Sequence, residues 1–148
     1  MKIGLIGAGR LGICLALLIE KAGYEVLASD NRVDYINSLQ KGIIDTAEPE
    51  VQQYLSDAKN IEFTTDNTRV IAECDLIFTL VATPSLKDGS YDVSAVWNVI
   101  NDFKDIPILL EEKSLVVGCT TNPGDCNDFQ EALKDTGIDI FYNPCLLY

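Results

Sequence analysis

A chain of 148 residues, 47% hydrophobic and 23% charged, is long enough to bury a core and has the composition of an ordinary globular domain. Its 11 Lys and Arg stand against 23 Asp and Glu, a formal net charge of −12, which argues against a nucleic-acid or anionic-membrane surface because both need a basic footprint. There is no His, and the five Cys (Cys14, Cys74, Cys119, Cys126 and Cys145) form no CxxC pair, so no Cys/His metal site is expected and a reducing cytoplasm fits.

Met1-Lys2 runs straight into apolar sequence, so no signal peptide is expected, and no apolar stretch reaches the roughly 18 residues of a membrane span. Residues 2–6 read as a short buried strand, and Leu11 to Ala22 as a helix that Gly23 stops. Tyr24 to Ser29 is a second strand ending at Asp30. Val33, Ile36 and Leu39 recur at a helical interval before Gly42. A polar loop containing Glu48-Pro49 follows, then a short helix carrying Val51 and Leu55. Ile61 to Thr64 is a third strand, after which Asp66 is placed to cap a helix running to Cys74.

Leu76 to Ala82, LIFTLVA, has the unbroken apolar look of a parallel strand buried on both faces. After the loop TPSLKDGSYD, the residues Val93, Val96, Trp97, Ile100 and Phe103 mark one face of a helix. Ser114 to Cys119 is a fifth strand, Thr120 to Gly124 a turn, and Asp125 to Asp135 a helix with Phe129, Ala132 and Leu133 facing in. Ile138 to Tyr142 is a sixth strand. Strands alternating with helices imply right-handed crossovers, and the expected fold is α/β: a Rossmann-type, doubly wound, mainly parallel six-stranded sheet with helices on both faces. No linker or internal repeat breaks the chain, so residues 1–148 are expected to form one domain.

The stretch GLIGAGRLG carries the chemistry. Gly7, Gly9 and Gly12 follow a predicted strand and open a predicted helix, and Asp30 closes the next strand about 20 residues on, as in a dinucleotide cradle. Gly7 makes the tight turn, Gly9 lets backbone approach a pyrophosphate, and Gly12 lets helix and strand pack closely. The N–H groups at that helix start offer a site for phosphate. Asp30 is placed to accept the adenine-ribose hydroxyls and to repel a 2′-phosphate, which favours NAD over NADP. Arg32 pulls the other way, since an Arg so close suits NADP.

With these motifs in order, the chain resembles the N-terminal NAD-binding domain of the UDP-glucose/GDP-mannose 6-dehydrogenases. The family's GxGYVG appears as Gly7-Ala8-Gly9-Arg10-Leu11-Gly12, and its Glu-Pro-Gly-Leu loop as Glu48-Pro49-Glu50-Val51. Its FTTD is Phe63-Thr64-Thr65-Asp66, and its segment DVIFIAVPTPS is matched by DLIFTLVATPS, Asp75 to Ser85. The following Asp88-Gly89-Ser90 and Asp92-Val93-Ser94 match as well. GCTTNPGD from Gly118 stands for the family's KSTVPPGT, and Asn143-Pro144-Cys145-Leu146-Leu147 begins like its NPEFL.

The resemblance implies a two-step oxidation of a nucleotide sugar's C6 alcohol to a carboxylate with two NAD. It places the nucleophilic Cys and a Lys beyond the end of this chain. It gives Thr120 an assisting role near the nicotinamide and a catalytic water, although Thr120 also reads as a polar cap on a strand-to-helix turn. Thr83 and Val81 would line the nicotinamide side, and Leu11 would pack by the pyrophosphate beside Arg10.

Departures from the family are its acid replaced by Cys145, its basic residue after the ribose acid replaced by Tyr35, with Arg32 in compensation, Pro-Pro replaced by Asn122-Pro123, and VPTP become Val81-Ala82-Thr83-Pro84. Cys145 holds the acid's position and not the nucleophile's.

A chain of this length makes an NAD cradle without a substrate pocket, because hydride transfer needs the sugar held against the nicotinamide by a second surface. It is therefore expected to bind NAD without turnover, as a segment of a longer dehydrogenase or as a short relic. The nucleotide sugar, and any oligomer, would come with the second domain. A different class shares GAGRxG: nucleotide-sensing modules like the regulatory domains of potassium channels. TPS…DGS, TTNPG and NPCLL are not needed there.

Overall fold

A computed structural model describes residues 1–106, 110 and 112–144. Twelve elements alternate along the chain: β1 (Lys2–Ile6), α1 (Arg10–Lys21), β2 (Glu25–Ser29), α2 (Val33–Gln40), α3 (Val51–Asp57), β3 (Ile61–Thr64), α4 (Asn67–Glu73), β4 (Leu76–Thr79), α5 (Ser94–Asp105), β5 (Ser114–Val117), α6 (Asp125–Ala132) and β6 (Asp139–Tyr142). The strands form one sheet in the order β3-β2-β1-β4-β5-β6, and every pairing is parallel. Strand order reverses between β1 and β4, the place where doubly wound sheets open a crevice for ligands.

The apolar runs are explained by burial on both faces. Along β1, Leu5 faces one core with Ile13 and Leu17 of α1, Ile36 and Leu39 of α2, and Val51 and Leu55 of α3. Ile6 faces the other, with Val70 of α4, Ile100 and Phe103 of α5, and Phe129 of α6. With alternate residues pointing to opposite faces, each central strand needs apolar side chains at every position.

Three expected elements end early. Leu76 to Ala82 reads as strand throughout, but β4 stops at Thr79: Leu80 N–H donates the last ladder bond to Ile6 C=O (2.8 Å), and β1 offers no residue beyond Ile6 to pair with Val81. β5 likewise ends at Val117, two residues before Cys119. α6 ends at Ala132 and not at Asp135, because the Thr136 hydroxyl and N–H both donate to the Leu133 carbonyl, at 2.7 and 2.9 Å, closing a turn there. β6 forms the sheet edge and leaves Phe141 and Tyr142 about half exposed. Cys145, on the segment matching NPEFL, lies outside the described residues.

Asp66 does cap α4. Its Oδ1 accepts from the N–H groups of Thr68 (2.9 Å) and Arg69 (3.3 Å) and from the Thr68 hydroxyl. The Thr68 hydroxyl bond first, then the two backbone N–H bonds, hold its carboxyl below the ordinary Asp range. A depressed folded pKa means the cap stabilises fully above the unfolded carboxylate pKa and fades as pH falls through the folded one. Asp66→Ala is therefore expected to lose about 1 kcal/mol at pH 7. In urea unfolding at pH 7 and again at pH 3, the gap between the two proteins should shrink at the lower pH.

Candidate functional site: a glycine cradle at the strand ends

The first residues past the four central strands, Gly7, Asp30, Leu80 and Gly118, all fall at one edge of the sheet. Gly7 has φ +98°, and a Cβ there would lie 2.8 Å from the Leu80 carbonyl carbon and oxygen. A side chain at Gly12 would lie 2.0 Å from the Gly7 carbonyl oxygen, so the first turn of α1 sits directly on the end of β1. Gly9 differs. It has φ −63°, and the nearest atom to its absent Cβ is Arg32 Nη2, at 3.9 Å. Two glycines are thus required by packing, whereas a Cβ at the third would make only an ordinary contact with Arg32.

The donors of this turn divide in the same way. Gly7 and Ala8 N–H both donate to the Ser29 carbonyl at 2.9 Å, tying the turn to β2. The first α-helical bond of α1 runs from Ile13 N–H to Gly9 C=O (2.9 Å), so the N–H groups of Arg10, Leu11 and Gly12 precede it. No side chain caps them and no acidic residue lies in that first turn. An uncapped start of a 12-residue helix, with its dipole's positive end outward, fits a phosphate.

A cavity of about 460 Å³ opens at this helix start, where Gly7, Gly9 and Arg10 line it. Its wall brings together Gly7, Gly9, Arg10, Asp30, Arg32 and Val81 from the expected site, and adds Asn67, Leu80, Ala95 and Asn98. Leu11, Gly12, Thr83 and Thr120 are not on that wall: Gly12 is buried beneath the turn, and the other three are half-buried nearby in the chain. Val81, expected on the nicotinamide side, lines the same cavity as Asp30. A larger hollow of about 700 Å³ lies beside the outer edge of β3, lined by Gln40, Lys41, Ser56, Glu62 and Arg69 among others. It has no helix start, and its position away from the β1/β4 reversal makes it the poorer candidate despite its size.

The acid at the cavity is not free. Asp30 Oδ1 accepts from Arg32 Nε (2.8 Å) and from the Arg32 backbone N–H (3.1 Å), and Oδ2 accepts from Arg32 Nη2 (2.9 Å). The Arg32 guanidinium also lies 4.1 Å above the Tyr35 ring. On the far side of the turn, Arg10 pairs with Glu48, bringing the Glu48-Pro49 loop against the start of α1. The Arg10 side chain is 82% exposed, so this pair contributes at most about 1 kcal/mol.

Sequence reasoning missed two polar anchors. Asn67 accepts from the Ser29 hydroxyl (2.7 Å) and donates to Asp102 (2.8 Å), linking the end of β2 to α4 and α5 at the cavity wall. Asn122 clamps the loop after β4 to the turn after β5: its amide accepts from Tyr91 N–H (2.8 Å) and donates to Tyr91 C=O (3.0 Å). Asp125 holds it there, accepting from the Asn122 backbone N–H (2.7 Å) and Nδ2 (2.9 Å). The signal was Asn in place of the first Pro of a Pro-Pro turn, since a side-chain amide both donates and accepts whereas a Pro side chain does neither. Near the same turn, burial pushes the Cys119 thiol up to about 11 and raises that of Cys126, so both are protonated at neutral pH.

A parallel sheet of this order, with an uncapped helix start at the β1/β4 reversal and an acid closing β2, defines a dinucleotide-binding domain. The comparisons then give its kind. Residues 1–147 match the UDP-glucose/GDP-mannose dehydrogenase family, NAD binding domain, and the chain belongs to that family as its NAD-binding domain. It is 28% identical over 150 residues to the UDP-glucose 6-dehydrogenase of Rickettsia bellii, covering 97% of this chain and 34% of that protein. It is 29% identical over 153 residues to the UDP-glucose 6-dehydrogenase of Rhizobium meliloti, with the same coverage.

The fold superposes on GDP-mannose dehydrogenase from Pseudomonas aeruginosa with TM-score 0.88 at 24% identity, over 100% of this chain and 37% of that one. For the UDP-N-acetyl-mannosamine dehydrogenase of Staphylococcus aureus the TM-score is 0.86 at 22% identity, over 100% and 37%. The chain thus spans about a third of the length of these dehydrogenases. The potassium-channel reading loses its ground, because the family match runs through the segments that such a module does not need. Among the described residues no helix is long and apolar enough to cross a membrane.

The glycine geometry separates packing from binding. Gly12→Ala should lower stability by about 1–3 kcal/mol, because backbone must move to admit the methyl group. Gly9→Ala should fold within about 0.5 kcal/mol of the parent. Its methyl group enters the space a phosphate would approach, so NAD affinity should still fall more than about tenfold, a loss of about 1.4 kcal/mol. Thermal melts and calorimetric NAD titrations of both variants check this.

Proposed function

We propose that this chain is the cofactor-holding part of a nucleotide-sugar 6-dehydrogenase, which oxidises the C6 alcohol of a UDP- or GDP-linked sugar to a carboxylate. The reading rests on the uncapped start of α1 opening into the same cavity as Asp30. NAD, when bound, supplies the hydride acceptor, and alcohol to carboxylate consumes two of them. The chain's own residues bind and orient it. Gly7 and Gly12 fix the turn, and the start of α1 at Arg10, with Leu11 packed beside it, meets the pyrophosphate across the bare face of Gly9. Asp30, beside Arg32, receives the adenine ribose.

Val81 and Thr83, just past β4, flank the route to the nicotinamide, and Thr120 serves in orienting a catalytic water there. The Asn122 clamp supports this role for the loops, since it ties the segment that follows Thr83 to the turn that contains Thr120. The nucleophilic Cys, the Lys and the sugar pocket belong to a second domain of the kind the longer relatives have room for. This chain alone binds NAD without turnover. Its setting is the cytoplasm, any oligomer forms through the second domain, and it engages neither nucleic acid nor membrane.

Calorimetric titration tests the reading. NAD should bind with a Kd between micromolar and millimolar, and Asp30→Ala should weaken it about tenfold by removing a charged hydrogen-bond acceptor for the ribose. No NAD binding by the folded parent chain would sink the proposal.

A further inference from the structure

Asp30 is engaged before any cofactor arrives. A carboxylate offers about four lone-pair sites. Arg32 takes three of them: two on Oδ1, at 3.1 and 2.8 Å, and one on Oδ2, at 2.9 Å. The two hydroxyls of an adenine ribose need two sites and find one. A ribose can make both bonds only if an arm of the Arg32 fork lets go. The fork is the partner free to move, since the Asp30 side chain is 8% exposed and that of Arg32 is 55% exposed. Even while paired, the guanidinium stacks on Tyr35, and its Nη2 lies 3.9 Å from where a Gly9 Cβ would sit. Arg32 therefore bridges the ribose acid and the phosphate cradle.

The geometry points to Arg32 as the residue that sets cofactor selectivity: it competes with the ribose of NAD for Asp30, and it is the bidentate partner that a 2′-phosphate would take over. This rests on the cradle proposed above. Alone, the Asp30 charge would repel a 2′-phosphate and enforce NAD. Neutralised by a fork, it repels weakly, and the same fork matches two phosphate oxygens once released. The sequence-based preference for NAD is thereby narrowed, so NADP binds within about tenfold of NAD.

The test is calorimetric titration of the parent chain, Arg32→Ala and Arg32→Lys with NAD and NADP, alongside thermal melts. In Arg32→Ala, NAD should bind about three- to tenfold more tightly and NADP at least about tenfold more weakly. Arg32→Lys keeps the charge without the fork and should move the NADP-to-NAD ratio in the same direction by less. A merely structural Arg32 would weaken both cofactors equally, and that result overturns the proposal. So does a parent chain that rejects NADP by more than about a hundredfold. If removing the Asp30 partner unfolds Arg32→Ala, an unchanged ratio in Arg32→Lys is enough to overturn it. NAD binding that ignores both substitutions counts against Arg32 alone, whereas a parent chain that binds neither cofactor counts against the cradle and takes the proposal with it.

Discussion

The close approach of α1 to the end of β1 is the constraint on which the site depends. With the Gly12 Cβ position 2.0 Å from the Gly7 carbonyl oxygen, any side chain there pushes the helix off the strand. Leu80, just past β4, presses on Gly7, so the turn is held from two sides, while the bonds from Gly7 and Ala8 to Ser29 hold it from a third. The consequence is electrostatic. Three backbone N–H groups are pinned at the one point of the sheet where neighbouring crossovers diverge and leave room for a ligand. Gly9 then keeps the approach clear.

That arrangement resolves the conflict between a chain of net charge −12 and an anionic ligand. Long-range attraction is absent, so affinity has to come from fixed donors at contact distance, which salt and distance weaken least. The two Arg side chains at the cavity do not supply spare charge either, because Glu48 and Asp30 already engage them. On the function proposed above, the backbone is the anion site and the arginines tune it.

The alternation of apolar runs with helical intervals made the sheet legible, because strands buried on both faces leave no other pattern. The places of Gly7, Gly12 and Asp30 were legible for the same reason: they follow from backbone geometry that spacing encodes. The fork of Arg32 on Asp30 was not, since a guanidinium two residues from an acid can face it or face solvent, and only packing on Tyr35 decides. The end of β4 was also hidden. LIFTLVA is apolar throughout, and the strand stops where its neighbour β1 runs out, a fact belonging to another segment. Asn122 was seen as a departure but not as a clamp, because its partner Tyr91 is 31 residues away. Thr83 and Thr120 sit on the loops after β4 and β5 but off the cavity wall.

Backbone amide NMR during an NAD titration tests the central claim most directly, because it reads the donors themselves. The account predicts the largest shifts at Gly9, Arg10, Leu11 and Gly12, with a second group at Asp30 and Arg32, and none along the hollow beside β3. Shifts centred on Gln40, Glu62 and Arg69, with the start of α1 unmoved, would contradict it.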